Sequence, residues 1–171
     1  MEVKIITDLA SEPVTVAEAR TYLRITTTAE DTLISELITD ARERLEKFTN
    51  LSFGAKTLKC RWDVLDGWAE IPYQPNAVVS ACINDAGDTL TYDTKGLEYK
   101  YLWCVNSTGV TITYTAGFTT LPKALKVAIL KEVATSYENR ENYDIEGTFN
   151  ELSNDAKRMA QSYSRNTLLG I

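Results

Sequence analysis

Apolar residues recur every three or four positions over two long stretches of the chain and every second position in the middle third. From Glu30 to Asn50 the apolar set is Leu33, Ile34, Leu37, Ile38, Ala41, Leu45 and Phe48, one wide stripe that predicts an amphipathic helix. On its outer side Asp40 precedes Arg44, and Glu43 precedes Lys47, by four residues, the favourable order for helical ion pairs. Just upstream, "EPVTVAEARTYLRI" (residues 12–25) predicts a short helix. Thr15 and Glu18 fit a capping box, Pro13 bars helix from running in, and Val16, Ala19 and Leu23 form the apolar face. After residue 121 the helical period returns in "LPKALKVAILKEVATSYENRE". Pro122 lies in the first turn there, and Leu125, Ala128, Ile129, Val133, Ala134 and Tyr137 face inward. Gly147 breaks this helix, and Asn150 is expected to cap a last one carrying Leu152, Ala156, Met159, Ala160 and Tyr163.

Between these helices the period is two. Leu58, Cys60, Trp62 and Val64 alternate with Thr57, Lys59, Arg61 and Asp63, as in a strand with one wet face. "AVVSACI", "NDAGDT" and "LTY" read as a hairpin closed around Gly87; the Asn and Asp residues there lack the length and closing Glu of a calcium loop. Leu97, Tyr99, Tyr101, Trp103 and Val105 are expected on one face of a further strand, with "NSTG" (106–109) turning the chain. Val110, Ile112 and Tyr114 then alternate with Thr111, Thr113 and Thr115. The fold class expected from this order is α+β: mainly a helical bundle with an inserted antiparallel β-hairpin unit. Helices span about 15–50 and 122–163, the β insertion about 55–117, and a tail 164–171.

Composition narrows the chemistry. The 171 residues suit one domain, no apolar run approaches the ~20 residues needed to span a bilayer, and the N-terminus shows no secretory pattern. A soluble protein made in a cytoplasm is expected. Cys60, Cys82 and Cys104 fall in predicted strands, where reduced buried thiols are the simplest reading. The chain has no histidine, so the commonest general base and zinc ligand are absent. No phosphate loop, dinucleotide fingerprint, nucleophile elbow or paired Cys motif occurs, and no cofactor or metal is expected. Asp63 with Asp66, or Glu138 with Glu141, are the only carboxylate pairs worth naming for hydrolytic chemistry, and each lies where a charged side chain normally faces water. A net charge of −6 argues against tight nucleic-acid binding.

In order and spacing, three stretches resemble the head–tail connector (portal adaptor) proteins of long-tailed bacteriophages. These are residues 12–25, "EDTLISELITDARERLEKFTN" (30–50) and "ITYTAGFTTLPKALKVAILKEVATSYENRE" (112–141). The resemblance implies one connector domain over residues 1–171 and a structural, non-enzymatic role in the virion neck. It also implies a ring of identical subunits beneath the portal protein. The ring would contact a tail-completion or stopper protein and pass DNA through its channel without specific binding. A subunit interface is expected on the outer face of the 30–50 helix at Arg42, Glu43, Arg44 and Glu46, and portal docking at the apolar ending Leu168, Leu169 and Ile171. The alternative is a monomeric protein-binding module that uses the edge of the β insertion.

Overall fold

A computed structural model describes residues 1–139 and 152–165. The chain forms two compact units, one of Met1–Ala10 with Asn50–Thr120, the other of Ser11–Thr49 with Leu121–Ile171.

The second unit is helical. Helix α1 (Val16–Leu23) starts at the capping box read from sequence: Glu18 N–H donates to Thr15 Oγ1 (3.2 Å) and Thr15 N–H to Glu18 Oε2 (2.8 Å). These bonds to its ionised form hold the Glu18 carboxyl below its ordinary pKa, the backbone N–H of Thr15 contributing most. Arg24, in the left-handed region at φ 60°, ends the helix. Helix α2 (Asp31–Thr49) buries Ile34, Ile38, Ala41 and Leu45 along the expected stripe. Helix α3 (Lys123–Glu138) buries Leu125, Ala128, Ile129 and Val133. Helix α4 (Asn154–Gln161) buries Ala156 and Ala160, and Ser153 caps it by accepting from Ala156 N–H at 3.3 Å. Asn150, the cap expected from sequence, lies outside the described residues. Segments from both sides of the β region therefore pack into one unit. Arg165 N–H closes it by donating to the carbonyl of Thr49 (2.9 Å).

The first unit is an antiparallel sheet of β1 (Glu2–Thr7), β2 (Lys56–Glu70), β3 (Val78–Ile83), β4 (Tyr92–Lys95) and β5 (Tyr101–Ala116). The order is β1-β2-β5-β3, with β4 also paired to β5. Gly117 follows β5 at φ 139° and donates its N–H to the Pro75 carbonyl at 2.7 Å. The expected turn at Gly87 forms: Gly87 N–H bonds Asn84 O (3.0 Å), and Asn84 pairs with Asp88 through side chain and backbone. The expected hairpin is reduced to a single bridge of Ile83 with Thr89, because β4 pairs with β5 rather than with β3.

A mainly helical bundle with a hairpin insertion is not what forms. Strands of 6, 15, 6, 4 and 16 residues stand against helices of 8, 19, 16 and 8, so sheet and helix are nearly equal partners in an α+β chain. Strand β1 escaped the period test because most of its residues are exposed on both faces, as an edge strand permits. "NSTG" does not turn the chain; β5 runs straight through it, with Gly109 at φ 65° inside the strand. The inward phase of 97–105 is also reversed. Leu102 and Cys104 are buried, and Leu97 is 95% exposed in a turn. Along β2 the phase likewise slips, since Val64 is exposed and Leu65 buried, next to the register shift between Leu65 and Gly67.

All three cysteines are buried thiols. Burial pushes the Cys60 and Cys82 thiols from 9.0 up to about 12. Thiol reagents at mildly alkaline pH should therefore leave the native protein unlabelled and modify three sites after unfolding; labelling of the folded protein at the unfolded rate would contradict this packing. A raised folded pKa means that only the unfolded thiols ionise between about 9 and 12, so stability should decline as pH rises through that window.

Candidate subunit interface

Helix α2 carries the four residues singled out from sequence, and the structure divides them. Arg42 is 1% exposed despite its charge. Its Nε lies 2.8 Å from Glu12 Oε2, its Nη1 2.8 Å from Glu46 Oε2, and its Nη2 3.5 Å from Glu43 Oε1. Glu12 sits just ahead of α1 and also accepts from Thr39 Oγ1 at 3.0 Å. Glu46 is buried as well, at 4%. One guanidinium thus ties the entry to α1 onto two turns of α2 through short charge-assisted bonds.

Arg44 faces α3. Its Nη1 is 2.8 Å from Glu132 Oε1, and its Nη2 reaches Asp40 Oδ2 (2.6 Å) and Ser136 Oγ (3.1 Å). Glu132, itself buried, turns its other oxygen to the Ser153 N–H at the start of α4 (2.9 Å). A chain of polar contacts therefore runs from α2 through α3 to α4. Glu43 is the member of the set whose side chain is mainly exposed, at 59%.

Sequence reading missed Glu12 and Glu132, the two acids that absorb these arginines. A signal for Glu132 existed: with Ile129, Val133 and Ser136 it lies in the apolar phase of α3, where a carboxylate needs an internal cation. For Glu12, outside any periodic element, there was none. The portal-docking candidates Leu168, Leu169 and Ile171 lie outside the described residues.

Among the described residues, carboxylates do not converge into a reacting centre elsewhere. Asp63 and Asp85 grip the exposed Arg61 at 2.5 and 2.9 Å, which lowers the Asp85 pKa. The side chain of Asp66 and the whole of Glu141 fall outside the described set. Among the described residues no group of three or more His, Cys, Asp or Glu could hold a metal ion, and no helix is long and apolar enough to cross a membrane.

Comparison with known proteins adds a family likeness over part of the chain and a fold. Residues 13–86 match the family model described as phage gp6-like head-tail connector protein. No curated protein matches the sequence. Three solved chains superpose over the full length of this one, with 99% of each covered. They come from the neck of an empty gene transfer agent (GTA) particle computed with C6 symmetry (TM-score 0.78, 19% identity), the virion of a native GTA particle (0.77, 20%), and the neck of a native GTA particle computed with C12 symmetry (0.75, 18%). Residues 13–86, which run from the start of α1 through α2 and β2 to the Gly87 turn, are thus similar to the phage gp6-like head-tail connector family.

Proposed function

We propose that this protein is a structural subunit of a virion neck, built as a ring of identical copies between the portal and a tail-completion or stopper protein, with no catalytic role. The observation that carries the reading is the coincidence of a connector family match over 13–86 with a fold shared along the whole chain by proteins of GTA necks and virions. In this reading the helical and sheet units serve as one connector subunit, and synthesis takes place in the host cytoplasm.

A ring requires one surface of a subunit to meet a different surface of the next at a fixed angle. The outer side of α2 suits such a wall. Glu43 presents its carboxylate to the neighbour, and Arg42, Arg44 and Glu46 fix the helix from behind, through the internal pairs described above. Leu168, Leu169 and Ile171 supply apolar anchors toward the portal. A repeated subunit of net charge −6 lines a channel along which DNA slides, because few phosphate contacts form to hold it.

Mixing the purified protein with its portal and imaging by negative stain tests this. Annular complexes are expected, with fewer of them for Glu43→Gln, which removes the exposed charge without setting a second cation against Arg42. A chain that stays monomeric beside the portal would instead favour a protein-binding module. Arg44→Glu is unsuitable for this purpose, since it would set a new carboxylate against Asp40 and Glu132 and unfold the subunit.

A further inference from the structure

Two of the thiols enclosed in the sheet unit meet. Cys82 on β3 and Cys104 on β5 are each 1% exposed and face the same apolar core. Residues 90–92 hold them together. Leu90 N–H donates to the Cys82 carbonyl (2.9 Å), Tyr92 pairs with Cys104 across the β4–β5 ladder, and the Cys104 thiol donates to the Thr91 carbonyl at 3.4 Å. The Cys104 sulfur is left to accept from the Cys82 thiol, and the two side chains are hydrogen-bonded to each other.

Register keeps Cys60 away from Cys82. Cys60 lies opposite Ile112, and Ile112 lies opposite Cys82 on its other side. Cys60 and Cys82 therefore stand two strand spacings apart, roughly 10 Å. A disulfide cannot join Cα atoms more than ~7 Å apart without moving the backbone.

We propose that Cys82 and Cys104 are a latent redox pair, reduced when the chain folds and closed to a disulfide by a small peroxide. One thiol sulfur attacks a peroxide oxygen, breaks the O–O bond and becomes a sulfenic acid as water is released. The second sulfur then attacks the sulfenic sulfur, forming the S–S bond and releasing another water. The two thiols lose two electrons and two protons, and hydrogen peroxide takes them up as it is reduced to water. Access is governed by β3, an edge strand that opens more readily than the β2–β5 centre of the sheet. While β3 is closed, burial keeps the Cys82 thiol protonated and unreactive. Once made, the bond ties β3 to a part of β5 beyond residues 111–115, where its own ladder ends. In the virion reading the bond closes after the particle leaves a reducing cytoplasm for oxidising surroundings. The pairing itself stands whether or not the subunit forms rings.

The full-length folded protein, treated with hydrogen peroxide at neutral pH, then unfolded, alkylated and mapped by mass spectrometry without reductant, tests this. The Cys82 and Cys104 peptides should be joined and Cys60 alkylated. The melting temperature should stand about 5–10 °C above that of the reduced protein, as for closing a loop of about 20 residues, and a reductant should reverse the rise. Three alkylated cysteines after prolonged treatment, oxygen added to single cysteines without a link, or a link through Cys60 would each overturn the pair. Failure to form rings with the portal would leave it untouched.

Discussion

Replacing Arg42 by Ala should cost about 3–5 kcal/mol of folding stability, a large share of the total for a protein of this size. The guanidinium is enclosed, and it neutralises the buried Glu46 at 2.8 Å while holding Glu12 at 2.8 Å. Without it the buried Glu46 carboxylate loses its 2.8 Å ion pair with the guanidinium. Protonation or partial unfolding then becomes the cheapest relief. The same logic makes a second variant informative. Arg42→Met combined with Glu46→Leu removes both charges at similar volume and should recover most of the loss. Urea unfolding followed by circular dichroism measures both. A single variant within about 1 kcal/mol of wild type would mean that Arg42 is hydrated and that the network is ornamental.

Gly117→Ala should be as damaging by a different route. A Cβ at residue 117 would lie 1.9 Å from the Gly54 carbonyl oxygen and 2.3 Å from its carbon, main-chain atoms that cannot swing aside. The residue also sits at φ 139°, which side chains avoid, and its N–H is committed to Pro75. Strain and overlap together should exceed about 3 kcal/mol and can prevent folding outright. Gly87→Ala is the control. It shares a positive φ of 90° but has open space around the site, so only backbone strain of about 1–2 kcal/mol is expected there. Equal effects at the two glycines would show that crowding against Gly54 is irrelevant.

The helices were legible because each reports its environment in its own sequence: a stripe on α2, a capping box at Thr15, a proline ahead of α3. The sheet was legible only in part. Residues 58–62 and 110–114 alternate cleanly and were placed correctly, since both strands there keep one face in the core. Strand β1 was invisible, and residues 97–105 came out in the wrong phase. Aromatic residues such as Trp103 and Tyr101 lie on the partly exposed face, Trp68 stacks against Trp103 at 6.4 Å, and Lys95 covers Trp68 at 4.1 Å. Ring pairs and cation–π contacts let a wet face look apolar in a one-dimensional pattern. At the α2 surface, charges that read as a solvated face proved half internal. The acids responsible come from residues 12 and 132, contacts between residues 30 and 88 positions apart that no local period encodes.

Because residues after Leu121 complete the helical unit begun by Ser11–Thr49, that unit cannot close on the ribosome until the whole sheet and α3 have been made. A nascent subunit therefore holds α1 and α2 without their α3 partner while the intervening sheet residues are made, exposing Ile34, Ile38 and Leu45 for that interval. Conversely, the surface shared by α1 and α3 exists only once α3 has been made, so nothing that recognises it can engage a half-made helical unit.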